Sequence, residues 1–218
     1  MKGLMLSLAL LALSALCAQG DVPVQPDFQE DKIVGKWYGI GLASNSNWFQ
    51  ARKQQMKMCT TVITPTADGN LDVVATYPKQ DRCEQKSMTY IKTEEPGRYL
   101  SKSPRYGSDH VIRVVETNYD EYTLMYTLKT KGNEVSTIVS LFGRTPVLRP
   151  ELLEKFQKFA KEQGLTEDQT LILPQTAREA RSRQPGVHSS KMTAKEDKGM
   201  QSFTTGRGSQ VLHCLLSV

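Results

Sequence analysis

The sequence predicts an all-β protein: an eight-stranded antiparallel up-and-down barrel with one C-terminal α-helix on its flank. Three observations lead there. Between Lys36 and Gly143 the chain breaks into eight short segments rich in Val, Ile, Thr and Tyr. Turn-forming clusters such as "ADGN", "EEPG", "NYD" and "KGN" separate them, and no helical period intervenes. Strands that follow one another without crossover helices pair antiparallel, and a meander of eight closes on itself because closure removes its exposed edges.

In chain order the predicted strands are 36–42 (KWYGIGL), 55–64 (QMKMCTTVIT), 70–77 (NLDVVATY) and 84–92 (EQKSMTYIK), then 97–102 (GRYLSK), 109–117 (DHVIRVVET), 121–129 (EYTLMYTLK) and 134–142 (EVSTIVSLF). A helix follows over 151–164. Pro150 suits its first turn, Gly164 its C-terminal cap, and Leu152, Phe156 and Phe159 recur on one face with Leu153 and Ala160 beside them. Glu151 and Glu154 come early and Lys158 and Lys161 late, as the helix dipole favours. "LILP" at 171–174 reads as a short extra strand.

The ends have another character. Residues 1–20 carry Lys2, an apolar run from Leu4 to Ala15 too short to cross a bilayer, and small residues around Ala18-Gln19-Gly20. This is the pattern of a cleaved secretory signal, and it predicts an extracellular protein with no stable membrane insertion. Residues 177–210 hold few large apolar side chains and no clear period, and the apolar "VLHCLLSV" at 211–218 is too short to fold alone, so 177–218 are expected to form a disordered basic tail after a domain spanning 21–176. The net charge of +5 is carried by that tail and Lys2; residues 21–176 hold twenty basic and twenty acidic side chains. A nucleic-acid-binding face is therefore not expected. His110, His188 and His213 are scattered and no metal-ligand spacing occurs. Of four cysteines, Cys17 leaves with the signal, and the odd remainder of Cys59, Cys83 and Cys214 leaves at least one thiol free or paired between chains.

Three motifs carry a resemblance. "GKW" (Gly35, Lys36, Trp37), "TNYD" (Thr117 to Asp120, with Tyr119 at its centre) and "GRT" around Arg144 resemble, in order and separation, the signatures of the lipocalin family. The resemblance implies a barrel forming an apolar cup, or calyx, with the arginine stacked over the tryptophan at its closed end. Gly35, Trp37, Thr117, Tyr119 and Arg144 are then fold determinants. Segments such as "GLASNSNWF", "VVETNYDEY" and "LLEKFQKFAKEQGLTED" resemble the prostaglandin-D synthases of that family, over roughly residues 24–176.

The resemblance implies that Cys59 is a free, cup-facing nucleophile, supported by the Thr61 hydroxyl two residues on. It implies isomerisation of a prostaglandin endoperoxide, with no tightly bound cofactor but with a free thiol such as glutathione. Gly39, Ala75 and Phe142 stand where it expects two serines and a tyrosine, and Arg105 replaces a histidine. It also makes Cys83 a disulfide cysteine. Glu179 occupies the expected partner position, which leaves Cys214 as the candidate partner within a monomer and an interchain disulfide through Cys83 or Cys214 as the alternative. The other function it implies is that of a non-catalytic carrier of retinoids, bile pigments or similar lipophilic molecules. The residues expected to line the cup or its mouth are Trp48, Met58, Val74, Met88, Tyr106, Leu124 and Tyr126.

Overall fold

The computed structural model describes residues 22–79 and 82–174. The expected signal, the tail beyond residue 176, Cys17 and Cys214 lie outside the described residues. Eight long strands appear: β1 Gly35–Ser44, β2 Thr60–Pro65, β3 Leu71–Lys79, β4 Arg82–Lys92, β5 Arg98–Ser103, β6 Ser108–Thr117, β7 Tyr122–Lys131 and β8 Glu134–Gly143. Each pairs antiparallel with the next, and β1 pairs with both β8 and β2, so the sheet closes. A short β9 (Thr170–Ile172) adds to β1. Among the described residues three α-helices accompany the barrel: α1 (Glu30–Ile33), α2 (Asn47–Arg52) and α3 (Pro150–Glu162).

The predicted elements differ from the observed ones mainly between β1 and β2. The segment 55–59, expected within a strand, is not in the ladder, and β2 begins at Thr60. The reason lies in β1. Its first residues pair with β2, Gly35 opposite Ile63 through Tyr38 opposite Thr60. The register to β8 then slips between Gly39 and Gly41, a β-bulge that turns the strand. Beyond the bulge β9 takes over the same edge, Gly41 opposite Ile172 through Ala43 opposite Thr170. Met58 instead donates its N–H to the Pro174 carbonyl at 3.4 Å. The helix α2 was not foreseen either. Ser46 caps it, its hydroxyl accepting the Phe49 N–H at 3.3 Å, and the Phe49 side chain is fully buried.

Helix α3 packs outside the wall. Leu152, Phe156 and Ala160 bury against Ile40, Ala43, Tyr122, Leu124, Val139 and Leu141. Pro150 starts the helix and Gly164, at φ 79°, ends it. The Leu165 N–H returns to the Ala160 carbonyl at 3.0 Å. Gly41 is the point of closest approach: a Cβ there would lie 2.7 Å from the Phe156 ring. Gly41→Val is therefore expected to force the helix off the barrel and destabilise the fold by about 2 kcal/mol, which a thermal or urea unfolding curve would measure.

The closed end is packed solid. Trp37, Ile63, Leu71, Val73, Tyr99, Ile112, Val114 and Met125 point inward together with Ile33 from α1. Arg144 seals it, its guanidinium 3.7 Å from the centre of the Trp37 ring. It donates to the carbonyls of Tyr119, Lys36, Lys32 and Val34 at 2.9–3.0 Å. Trp37 donates its indole N–H to Ile33 at 2.7 Å. Gly35 is at φ 100°, a conformation that strains an L side chain, and a Cβ there would crowd the Arg144 guanidinium at 3.2 Å. Thr117 ties the β6–β7 turn, donating to the Tyr122 carbonyl at 2.7 Å and accepting the Tyr119 N–H at 2.9 Å.

Candidate functional site

Strand register decides which residues face the hollow, because side chains alternate between the two faces of a sheet. Trp37 is buried inside and sits opposite Thr61. Thr61 sits opposite Ala75, and Ala75 opposite Lys86. Val73 sits opposite Met88. The inward row therefore runs Trp37 and Gly39 on β1, Thr61 and Ile63 on β2, Val73, Ala75 and Tyr77 on β3, and Lys86 and Met88 on β4. On β8, Phe142 and Ser140 sit opposite Gly39 and Leu42. Towards the closed end these inward side chains are buried, whereas Ala75, Tyr77, Lys86, Met88, Ile138 and Ser140 keep accessible surface. That gradient is the shape of a cup, filled at its base and hollow above.

Cys59 lies on the inner face. The Gly39 N–H donates to the Cys59 carbonyl at 2.8 Å, which extends the β1–β2 pairing by one step beyond Tyr38 and Thr60. A Cβ at Gly39 would stand 2.7 Å from the Cys59 sulfur. The thiol thus occupies the space that the missing side chain leaves. Cys59 is half-buried and is the free cysteine among the described residues. Burial pushes its pKa above the ordinary value; hydrogen bonds from the Thr61 hydroxyl and from the backbone at Cys59 and Gly39 act in the opposite direction without overcoming it. Gly39, Ala75 and Phe142 share the inner face with the sulfur, so the three hydroxyls the resemblance expected are absent from the cup itself, and Thr61 stays. Arg105 is exposed in the β5–β6 connection, stacked 5.7 Å from the Tyr106 ring.

The expected lining residues divide. Met88 faces inward and packs on the inner core. Trp48 on α2 and Tyr106 after β5 sit at the open end, each 51% exposed. Four others are corrected. Met58, Leu124 and Tyr126 belong to the cluster beneath α3, outside the wall. Val74 sits opposite Val62, on the outer face. Met58 is the chain neighbour of the inward Cys59, and neighbours in an extended segment point to opposite sides. On β7 the inward face is taken instead by Met125, in the core, and by Thr127, opposite the inward Ile112.

Sequence reasoning missed Lys86, Ser101, His110 and Lys129 as cup residues. Lysines read as solvent-facing in isolation, and the register that turns them inward is a property of the closed sheet. The signal available was the alternation in "EQKSMTY", which sets Lys86, Met88 and Tyr90 on one face. Cys83 lies on the exposed face of β4 opposite Pro78. It is not a free thiol, and its candidate partner Cys214 lies outside the described residues. No group of metal-ligating side chains occurs among the described residues, and no helix there is long and apolar enough to cross a membrane.

Comparisons with known proteins agree with this geometry. The model of the lipocalin / cytosolic fatty-acid binding protein family matches residues 34–177. A lipocalin of Rhinella marina is 84% identical over 176 residues, covering 81% of this chain and 96% of that protein. The prostaglandin-H2 D-isomerase of Mus musculus is 45% identical over 169 residues, covering 77% of this chain and 89% of that protein. A solved structure described as "The Siderocalin Ex-FABP functions through dual ligand specificities" superposes with a TM-score of 0.59 at 27% identity, covering 67% of this chain and 96% of that one. With the barrel closed, the arginine–tryptophan plug in place, the helix on the wall and a match over most of the folded region, the chain belongs to the lipocalin family.

Proposed function

We propose that this protein is a secreted carrier of small lipophilic molecules that also isomerises prostaglandin H2 to prostaglandin D2 through the Cys59 thiolate. The observation that carries the catalytic part is the inward sulfur of Cys59, held against Gly39 with the Thr61 hydroxyl beside it. The relatives named prostaglandin-H2 D-isomerase support the reaction class. The hollow upper part of the barrel supports the carrier function, since an apolar ligand gains about 25 cal/mol for each Å² it removes from water.

In the proposed reaction the thiolate attacks one oxygen of the endoperoxide. The O–O bond breaks, and its electron pair stays on the other oxygen, which takes a proton and becomes the hydroxyl. The carbon bearing the sulfur-bound oxygen then loses its proton. The C–H electron pair forms the ketone while the S–O bond breaks, and the thiolate returns. One proton is taken up and one released, with no net oxidation. A free thiol such as glutathione would serve to keep Cys59 reduced. Cys83 would pair with Cys214, which leaves Cys59 as the free sulfur of a monomer.

Burial sets the pace of this chemistry. A pKa raised above the ordinary thiol value of about 8.5 leaves little thiolate at neutral pH. The rate is therefore expected to rise about tenfold per pH unit from pH 7 until the pKa of Cys59 is passed. The same shift acts on stability. The folded state favours the protonated thiol, so this contribution is complete below the unfolded pKa of about 8.5 and declines as pH rises towards the folded value.

The absence of hydroxyls at Gly39, Ala75 and Phe142 favours the carrier function as the larger one at neutral pH, with retinoids and bile pigments as ligand classes. Two measurements test the proposal: prostaglandin D2 formation between pH 7 and pH 9 in the presence of glutathione, and quenching of tryptophan fluorescence by retinoic acid. Catalysis that is absent at every pH would remove the enzymatic half. A lack of quenching, together with no competition by bilirubin, would remove the carrier half.

A further inference from the structure

The open end of the barrel keeps apolar surface that the packing of the domain does not use. Among the described residues the exposed large hydrophobic side chains are Trp48, Ile91, Leu100, Tyr106 and Val135. Three of them stand at the mouth: Trp48 on α2, Tyr106 between β5 and β6, and Val135 beside the β7–β8 turn. They are also the most exposed, at 51%, 51% and 56%. Local structure presents them outwards. Helix α2 buries Phe49 and turns its neighbour Trp48 to solvent. The Asn45 carboxamide oxygen accepts the Thr137 N–H at 2.9 Å, which ties the chain before α2 to β8, the strand of Val135. Tyr106 ends a one-turn 3₁₀ helix that Gly107 closes at φ 58°.

The balanced charge of the domain is unevenly spread between its ends. Turns at the closed end hold the acids Asp68, Glu94, Glu95, Asp120 and Glu121. At the mouth Arg52, Lys57, Lys102, Arg105 and Lys131 are exposed. None of these five forms an ion pair among the described residues. Two acids of the mouth are already engaged, Glu84 by Lys79 at 2.9 Å and Asp168 by Lys53 at 2.5 Å. Asp109, Glu134 and Glu167 are the other exposed acids there, so base exceeds acid. Base and aromatic also stack on the rim. The Arg52 guanidinium lies 5.9 Å from the centre of the Trp48 ring, and Arg105 lies 5.7 Å and the Lys86 ammonium 5.4 Å from that of Tyr106. Tryptophan and tyrosine suit the boundary between lipid and water, because one end of the ring is apolar and the other polar. A neighbouring guanidinium forks to phosphate.

We infer that the open end of the barrel is a docking surface for an anionic phospholipid bilayer, in which Trp48, Tyr106 and Val135 enter the headgroup layer while Arg52, Lys57, Lys102, Arg105 and Lys131 face the phosphates. The attachment is peripheral and reversible. No described helix is long and apolar enough to cross a membrane, and three apolar side chains hold a surface only together with electrostatic attraction. The docking stands on the rim residues and not on the identity of any cargo. Its use, which rests on the carrier reading, is to turn the mouth of the cup towards lipid, so that an apolar cargo passes between bilayer and barrel without crossing bulk water.

The chain has two tryptophans, and Trp37 is buried at 1% exposure, so Trp48 reports the contact. The secreted chain, residues 21–218, is titrated with vesicles of phosphatidylcholine alone and of phosphatidylcholine with 30% phosphatidylserine, and binding is read by flotation and by tryptophan emission. Anionic vesicles are expected to bind at least tenfold more tightly than neutral ones, to shift the emission to shorter wavelength, and to lose the protein in 0.5 M salt. Brominated lipid should quench the shifted emission. Lys102→Glu and Arg105→Glu should each weaken binding about tenfold, and Tyr106→Ser about fivefold, with Tm unchanged within about 2 °C. Binding that the three variants leave unchanged would assign it to the basic tail and overturn the docking surface. So would a lack of flotation with anionic vesicles, or a doubled mass in solution with Trp48 already shielded, which would show a second copy on the rim. Retinoic acid binding without vesicles is measured on the same preparations: its loss strikes the carrier reading, and its persistence without vesicle binding strikes the docking alone.

Discussion

Cys59→Ala is expected to abolish prostaglandin D2 formation, a loss of at least about a hundredfold, and to leave retinoic acid binding within about twofold. The reaction needs a sulfur that can form and break a bond to oxygen, and Cys59 is the free cysteine among the described residues. No other group near it can replace that function. Thr61 offers a hydroxyl, which is scarcely ionised at any workable pH. The substitution removes one small side chain from a half-buried position, so the fold should lose only about 1 kcal/mol. Cys59→Ser sharpens the comparison. It preserves shape and hydrogen bonding but not the thiolate, and it should be as inactive as alanine. Product formation is followed by chromatography, with the wild-type protein titrated by iodoacetamide in parallel. Alkylation should remove the activity in proportion to the Cys59 modified. If the alanine variant retained the wild-type rate, the thiol mechanism would be wrong, and the calyx would be acting only as a container.

The second large effect concerns stability. Arg144→Ala is expected to destabilise the protein by about 3 kcal/mol, which lowers Tm by about 6–12 °C for a chain of this size. Arg144 satisfies four backbone carbonyls, at Tyr119, Lys36, Lys32 and Val34. Its guanidinium covers the Trp37 ring at 3.7 Å. Truncation removes the stacking and strands those acceptors, some of which water can reach and some of which it cannot. A lysine would not rescue the site. Its single ammonium cannot fork to several carbonyls while lying flat on an indole. Arg144→Lys should therefore recover well under half of the loss. Ligand affinity measured well below the melting transition should change little, because Arg144 stacks on Trp37 and binds backbone carbonyls at the closed end rather than lining the cup. A Tm change of less than about 2 °C would mean that the hydrophobic base holds the barrel shut without the plug.

The elements that could be read along the chain were those whose evidence is local. Alternation and turn residues located seven of the eight strands to within two residues at each end, while β2 begins five residues later than they suggest, and α3 announced itself through Pro150, the Leu152–Phe156–Phe159 stripe and Gly164. Helix α2 gave no such signal. Six residues holding Trp48, Phe49 and Arg52 have no period to read, and the Ser46 cap alone is common in loops. The candidate site was partly legible. The sequence marks Cys59 and, separately, the three apolar residues Gly39, Ala75 and Phe142. That all three border the same hollow as the sulfur became visible only when β1, β2, β3 and β8 were placed side by side. The lysines of the cup were invisible for the same reason, since a charged side chain looks solvated until the neighbouring strands enclose it.

The sequence by itself determined that this chain is an antiparallel barrel with a flanking helix, because strand period, turn chemistry and helix capping are properties of neighbouring residues. Only the tertiary structure decided which face of each strand looks inward. Alternation divides a strand into two sets without naming the inner one, and a single bulge at Gly39–Gly41 exchanges them partway along β1. Sheet closure and the seating of Phe156 against Gly41 resolve that choice, sending Leu124 and Tyr126 under the helix and turning Cys59, Lys86 and Lys129 towards the cup.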